Sequence, residues 1–221
     1  MPRFGFRAAS RFGTISAVDE QQVIYVLDLL GTSSFAFSGV LRGFDRRPDI
    51  IGMVILAAAT ALGGGIIRDM ILGQPVAMLR DMNYLLVILG SAAVAFLFPT
   101  RLKRREAFFK YFDAFGLGVF SAIGASLAWK GGLNPVSVLF IAGLTGAGGG
   151  VIRDVLLGEM PLVLYKEIYI LAVAVGAGAL MAVEELGGGA GAGFLTAMIV
   201  TFVIRALAIR FNWSLPRFTL R

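Results

Sequence analysis

The chain has no cysteine and no histidine among its 221 residues, and charged residues make up only 15% of it. Without cysteine there is no disulfide and no thiolate nucleophile. Without histidine the commonest metal ligand and the usual proton shuttle at neutral pH are both missing. Nothing replaces them: the sequence offers no nucleophile beside a base, no metal-ligand cluster and no paired-carboxylate site, and so no support for an enzyme, a metal or a cofactor. A phosphate-cradling loop is also lacking. Neither glycine cluster completes G-x-G-x-x-G, because Val151 stands where the last glycine would follow Gly146, and no Walker lysine comes after it. The first 20 residues carry three arginines but no apolar segment of a signal peptide.

Apolar residues are in excess, at 57% of the chain. They gather into runs of about twenty, the length that crosses a hydrocarbon layer of roughly 30 Å. The pattern predicts an all-α integral membrane protein with seven transmembrane helices. The predicted spans are Val23–Leu41, Ile50–Leu72, Tyr84–Phe98, Ala107–Trp129, Val136–Leu157, Ile168–Val183 and Ala190–Ile209. Runs of this length, without ten-residue alternation, exclude a β-barrel. A net charge of +6 invites a nucleic-acid reading. In a membrane chain, however, the placement of Lys and Arg in the loops matters more than their total. With seven spans, twelve of these residues fall on one side (42, 46, 47, 101, 103, 104, 105, 110, 166, 210, 217 and 221) and five on the other (3, 7, 11, 80 and 130). The richer side is expected in the cytoplasm, which puts the N-terminus outside and the C-terminus inside a bacterial inner membrane. The cluster Arg101–Arg105 with Lys110 also suits anionic lipid.

An internal repeat organises the chain. A shift of 85 residues superposes Asp28 on Asp113, Gly31 on Gly116, Phe35 on Phe120, Gly39 on Gly124, Thr60 on Thr145 and Tyr84 on Tyr169. It also superposes Gly63-Gly64-Gly65-Ile66-Ile67-Arg68-Asp69 on Gly148-Gly149-Gly150-Val151-Ile152-Arg153-Asp154. Each copy holds three spans, an odd number, so the second enters the membrane from the opposite side. The expected organisation is an N-terminal tail (1–22), repeat 1 (23–98), a basic loop with the start of span four (99–112), repeat 2 (113–183), a seventh span (190–209) and a basic tail (210–221).

The doubled motif is the candidate functional element. Three glycines in a row cost a helix roughly 1 kcal/mol each relative to alanine, so spans two and five are expected to break there. An Arg and an Asp follow within a turn, and each costs about 2.5–3.5 kcal/mol at a helix centre on insertion scales. Depth in the membrane suggests the partners: Asp28 with Arg68 or the neighbourhood of Asp69, and Asp113 with Arg153. The competing reading is that the glycines serve only close helix packing. Thr32, Ser33, Ser34 and Ser121 could line a path, although such hydroxyls usually bond their own i−4 carbonyl. Tyr84 and Tyr169, at span starts, read first as interfacial anchors, and Glu184 and Glu185 as a solvated turn.

Seven spans, an inverted three-plus-three repeat and the paired Gly-Gly-Gly-x-x-Arg-Asp motifs resemble the trimeric intracellular cation (TRIC) channel family, in its prokaryotic branch, over residues 23–210. The resemblance implies a homotrimer, with a pore in each protomer between bent helices two and five that passes K+ and Na+. It places the bends at Gly63–Gly65 and Gly148–Gly150, with the pore charges at Arg68, Asp69, Arg153 and Asp154. A small-solute transporter, for example for glycine, remains the alternative, since inverted repeats with broken helices are equally typical of transporters. No nucleic acid and no cofactor is expected.

Overall fold

The structure, a computed structural model, describes residues 14–97, 106–165 and 168–213. Most of the basic loop after span three, both chain ends and Lys166 lie outside the described residues. Among the described residues there are seven long helices: α1 (Thr14–Gly43), α2 (Ile50–Ile71), α3 (Asn83–Leu97), α4 (Glu106–Lys130), α5 (Pro135–Leu156), α6 (Ile168–Glu185) and α7 (Ala190–Arg210). A 3₁₀ turn, Ala77–Leu79, follows α2, and a one-turn helix, Leu162–Tyr165, follows α5. Six of the seven are long and apolar enough to cross a membrane. The exception, α3, has 15 described residues, about 22 Å at 1.5 Å per residue. The helix bounds match the expected spans closely except at the start, where α1 begins at Thr14, inside the expected tail.

The repeat is visible in local chemistry as well as in helix order. Asp49 caps α2 by accepting from the Gly52 N–H at 2.7 Å, and Asn134, 85 residues on, caps α5 from the Ser137 N–H at 3.0 Å. At the far ends Gly73 and Gly158 take φ values of 64° and 68°, a left-handed turn that stops each helix in the same way. In each repeat the first helix packs on the second and third; between repeats α1 packs on α4 and α2 on α5. At the centre the rings of Phe35 and Phe120, positional mates, stack at 5.3 Å. Helix α7 has no mate and lies against α4 and α6, so α4 is far more buried than its counterpart α1.

The helices do not break at the glycines: α2 runs as one helix from Ile50 to Ile71, and α5 from Pro135 to Leu156. The glycines are used for proximity. A Cβ on Gly64 would sit 2.2 Å from the Thr145 carbonyl oxygen, and one on Gly149 would sit 2.0 Å from that of Thr60. Backbone touches backbone there, as small residues permit between membrane helices. Thr60 and Thr145 bend their hydroxyls back to Leu56 and Ile141 carbonyls, both at 2.6 Å, and so keep their polar atoms out of the contact. The outer glycines are less constrained. Gly65 would have only an Arg68 nitrogen within reach, at 3.8 Å.

Gly64→Ala and Gly149→Ala therefore force a backbone shift, whereas Gly65→Ala does not. Each of the first two is expected to lose about 1–3 kcal/mol or more through overpacking. Thermal unfolding of detergent-solubilised protein should show a clear fall in Tm for both and little change for Gly65→Ala.

Candidate functional site: two arginine clusters beside the helix crossing

One turn beyond the crossing, each helix presents its Arg-Asp pair to the protein interior. Arg68, Asp69, Arg153 and Asp154 are 6%, 3%, 0% and 1% exposed. Neighbouring residues on a helix diverge by about 100°, yet the long arginine folds back over its neighbour. Arg68 Nε donates to Asp69 Oδ1 at 2.8 Å, and Arg153 Nε donates to Asp154 Oδ1 at 2.8 Å. The second oxygen of each aspartate takes a backbone N–H from the return loop, Ala77 at 3.2 Å or Leu162 at 2.9 Å. Each Asp thus ties its arginine to the first turn of the segment that follows, where partial positive charge favours an anion.

Beyond this shared frame the clusters differ. In repeat 2 the expected pair forms. Arg153 Nη1 donates to Asp113 Oδ1 at 2.6 Å and to Ser38 Oγ at 2.5 Å, while the Tyr169 hydroxyl donates to Asp113 Oδ2 at 2.9 Å. The Phe109 ring lies 4.9 Å from the Arg153 guanidinium, and Asp113 and Tyr169 are as buried as Arg153. In repeat 1 the expected Asp28–Arg68 pair does not form. Asp28 Oδ2 accepts from the Tyr84 hydroxyl at 2.6 Å, while Asp28 Oδ1 and Arg68 Nη1 are buried without partners. The repeats also differ at the hydroxyl that bonds the guanidinium: the position equivalent to Ser38 is Ile123, which has no polar atom to offer. Arg68 Nη1 and Asp28 are left beside a cavity of about 30 Å³, lined also by Thr32, Gly65, Tyr84 and Phe120. That is room enough for water, which needs roughly 10–15 Å³ and polar partners.

The return loop Gly73–Met82 covers this cavity with Val76, Ala77 and Met78. It is fastened to α1, where the Tyr25 hydroxyl donates to Asp81 and also accepts from Asn83 Nδ2 at 2.8 Å. The Tyr25 hydrogen bond holds the Asp81 carboxyl below the usual carboxylate range, so this fastening persists into mildly acidic solution.

The other expected residues fall elsewhere. Ser33 shares a hydrogen bond of 2.9 Å with Ser91 in a groove between α1 and α3, away from the clusters. Their mates, Gly118 and Gly176, line the equivalent groove of repeat 2, where α7 is seated: added Cβ atoms would meet Met198 and Thr201. Ser121 bonds the Gly118 carbonyl on its own helix at 3.1 Å, and Ser34 is buried. Thr32 alone of the hydroxyl group lines the cavity. Tyr84 and Tyr169 are not interfacial anchors but buried donors to Asp28 and Asp113. Both lie 56 residues after their aspartate, a repeated spacing that carried the signal. Ser38, Phe109, Glu159 and Arg205 had no signal in the repeat, because none has a like mate.

Removing Asp113 should leave Arg153 charged and under-partnered at full burial, a loss of about 3–5 kcal/mol. Asp28→Asn keeps an acceptor for Tyr84 and breaks no ion pair. Asp113→Asn is accordingly expected to give little folded protein by size-exclusion profile in detergent, and Asp28→Asn a near-normal profile.

A family model described as "Glycine transporter" matches twice, over residues 25–100 and 110–185, which is the same 85-residue offset. A UPF0126 membrane protein of Deinococcus radiodurans is 46% identical over 159 residues, covering 71% of this chain and 74% of that protein. Among solved structures, a prokaryotic TRIC channel crystallised in 0.5 M KCl is 37% identical, covers 88% of this chain and 100% of its own, and superposes with a TM-score of 0.83. The TRIC trimeric intracellular cation channel orthologue from Rhodobacter sphaeroides is 35% identical over 87% of this chain and 100% of its own, with a TM-score of 0.82.

Proposed function

Since this chain is a member of the TRIC channel family, we propose that it is a passive channel for monovalent cations, K+ and Na+, with a path inside each protomer beside the α2–α5 crossing. The observation that carries the reading is the pair of buried Arg-Asp clusters on either side of the helix crossing, one of them opening on a small cavity that Asp28, Arg68 and Asp69 line. Each cluster counts one guanidinium against two carboxyl groups, Asp28 and Asp69 with Arg68, and Asp113 and Asp154 with Arg153. A cation meets excess carboxylate rather than a bare arginine, which would repel it. Gly63–Gly65 and Gly148–Gly150 set how closely the two helices meet, and loosening of that contact is the opening movement. On this reading the shut conformation is the one in which the Gly64 and Gly149 backbones leave no space for a methyl group.

The assembly is a homotrimer, in line with the trimeric intracellular cation channel orthologue of Rhodobacter sphaeroides. By loop charge the N-terminus is outside and the C-terminus, with the basic loop against anionic lipid, is inside the bacterial inner membrane. The transporter reading rests on the description of the matching family model and on the inverted repeat, which serves alternating access equally well.

Planar-bilayer recording of purified protein in asymmetric KCl and NaCl separates the two. Unitary currents reversing at monovalent-cation potentials are the expected result. Saturable glycine uptake into liposomes with no currents would support the transporter and overturn the channel. Arg68→Ala removes the one positive charge at the cavity and is expected to raise cation conductance; unchanged or reduced conductance would count against a path past Asp28.

A further inference from the structure

The clusters share a backbone frame but not access. Repeat 1 opens on a cavity, whereas Arg153, Asp113 and Asp154 are 0%, 1% and 1% exposed. What seals the second cluster is a stack of side chains with no counterpart in the repeat. The Phe109 ring, 7% exposed, has the Arg153 guanidinium 4.9 Å away and that of Arg42 5.1 Å away. Arg42 in turn meets Glu159 at 2.6 Å, and Arg46 reaches the same carboxylate at 3.7 Å. The mates of Arg42, Phe109 and Glu159 are Leu127, Ile24 and Gln74, so neither the ring nor the ion pair can be rebuilt in repeat 1.

Resting on the channel reading, we propose that Phe109 is the positioning residue that closes the path at the repeat 2 end, and that the Arg42–Glu159 pair latches it shut. The three residues come from three elements that end at one membrane face: the last turn of α1, the first turn of α4 and the loop after α5. Two guanidiniums near one ring repel each other unless each has its own carboxylate. Arg153 has Asp113 and Asp154; Arg42 has Glu159. Losing Glu159 therefore frees Arg42 and exposes one side of the ring. Glu159 is also coupled to the crossing, because its backbone N–H bonds the Asp154 carbonyl at 2.8 Å. A shift of the α5 end carries Glu159 away from Arg42, so loosening at the glycines and release of Phe109 form one movement. The latch, with side chains 26% and 21% exposed, is weakened by salt, whereas the buried pairs are not.

A cysteine-free chain makes the test direct. Ser38→Cys, a near-isosteric change beside Arg153 and one turn before Arg42, places a single thiol behind the ring. Its modification by a membrane-impermeant thiol reagent is followed in membrane vesicles with the face bearing Arg42 outward. Slow labelling is expected with Phe109, Arg42 and Glu159 intact. Added Glu159→Gln should speed it about two- to fivefold, as suits a partly exposed pair, and added Phe109→Ala about tenfold or more. The charge swap Arg42→Glu with Glu159→Arg should restore slow labelling. Equal rates in all backgrounds would overturn the plug whether or not currents are seen. Open probability of Glu159→Gln, a substitution outside the buried clusters, is the second measurement if Ser38→Cys folds poorly: a rise of the same size supports the latch, and no change overturns it. Absence of wild-type currents with latch-dependent labelling would retain the plug and remove the channel.

Discussion

Everything in this molecule hangs on one contact, the approach of α2 to α5 at Gly64 and Gly149. Each glycine faces a carbonyl oxygen on the other helix, and an added Cβ would collide with it at 2.2 or 2.0 Å. The contact repeats itself through the pseudo-two-fold relation, so one geometric requirement fixes both helices at once. It also fixes what comes a turn later. Arg68 and Arg153 are delivered to the interior on opposite sides of the crossing, where lipid cannot reach them and protein must neutralise them. The return loops follow from that need, since Asp69 and Asp154 each spend one oxygen on the arginine and one on the loop backbone. A chain that needed only to pack seven helices would have no reason to carry those four charges.

The parts legible in the sequence are those that the two copies share. Helix bounds, the doubled motif and the Arg153–Asp113 pair follow from composition, period and the 85-residue offset. The parts that were not legible are those where the copies part company. Asp28 and Arg68 occupy the same frame as Asp113 and Arg153, yet Ile123 replaces the hydroxyl that Ser38 supplies across the crossing. That contact is between different helices of different repeats, and nothing local in α1 or α4 announces it. The glycine run was misread as a break for a related reason. Propensity assigns a cost to glycine in isolation, while the value of a missing Cβ depends on what stands opposite. With a carbonyl opposite, the helix keeps its own hydrogen bonds and uses the space for contact.

Symmetry of backbone and asymmetry of side chains divide the work. The backbone makes two equivalent clusters, which the proposed path would pass in turn. The side chains leave one cluster beside a cavity and pack protein around the other. Asp28 Oδ1 and Arg68 Nη1 face a cavity with bonds unmade, a costly arrangement inside a membrane unless water or an ion completes it. In repeat 2 the same groups are bonded to protein. A site that waits for a partner at one end and is closed by protein at the other is the arrangement expected of a gated path.

The seventh helix deepens the asymmetry. It seats in the groove between α4 and α6, where Gly118 and Gly176 make room for it; in repeat 1 the same two positions are Ser33 and Ser91, bonded to each other across an open groove. From α7, Arg205 lays its guanidinium 4.6 Å from the Tyr169 ring, 6% exposed and with its Nε unpartnered. Tyr169 is the donor to Asp113, so a positive charge on α7 stands behind the hydroxyl that orients the carboxylate holding Arg153. The repeat 2 cluster is therefore flanked on two sides, by Phe109 from α4 and by Arg205 from α7. Helix α7 thus adds to an asymmetry that Ser38, Phe109 and the Arg42–Glu159 pair already create: it covers the groove of repeat 2, and the equivalent groove of repeat 1 is left to the Ser33–Ser91 pair.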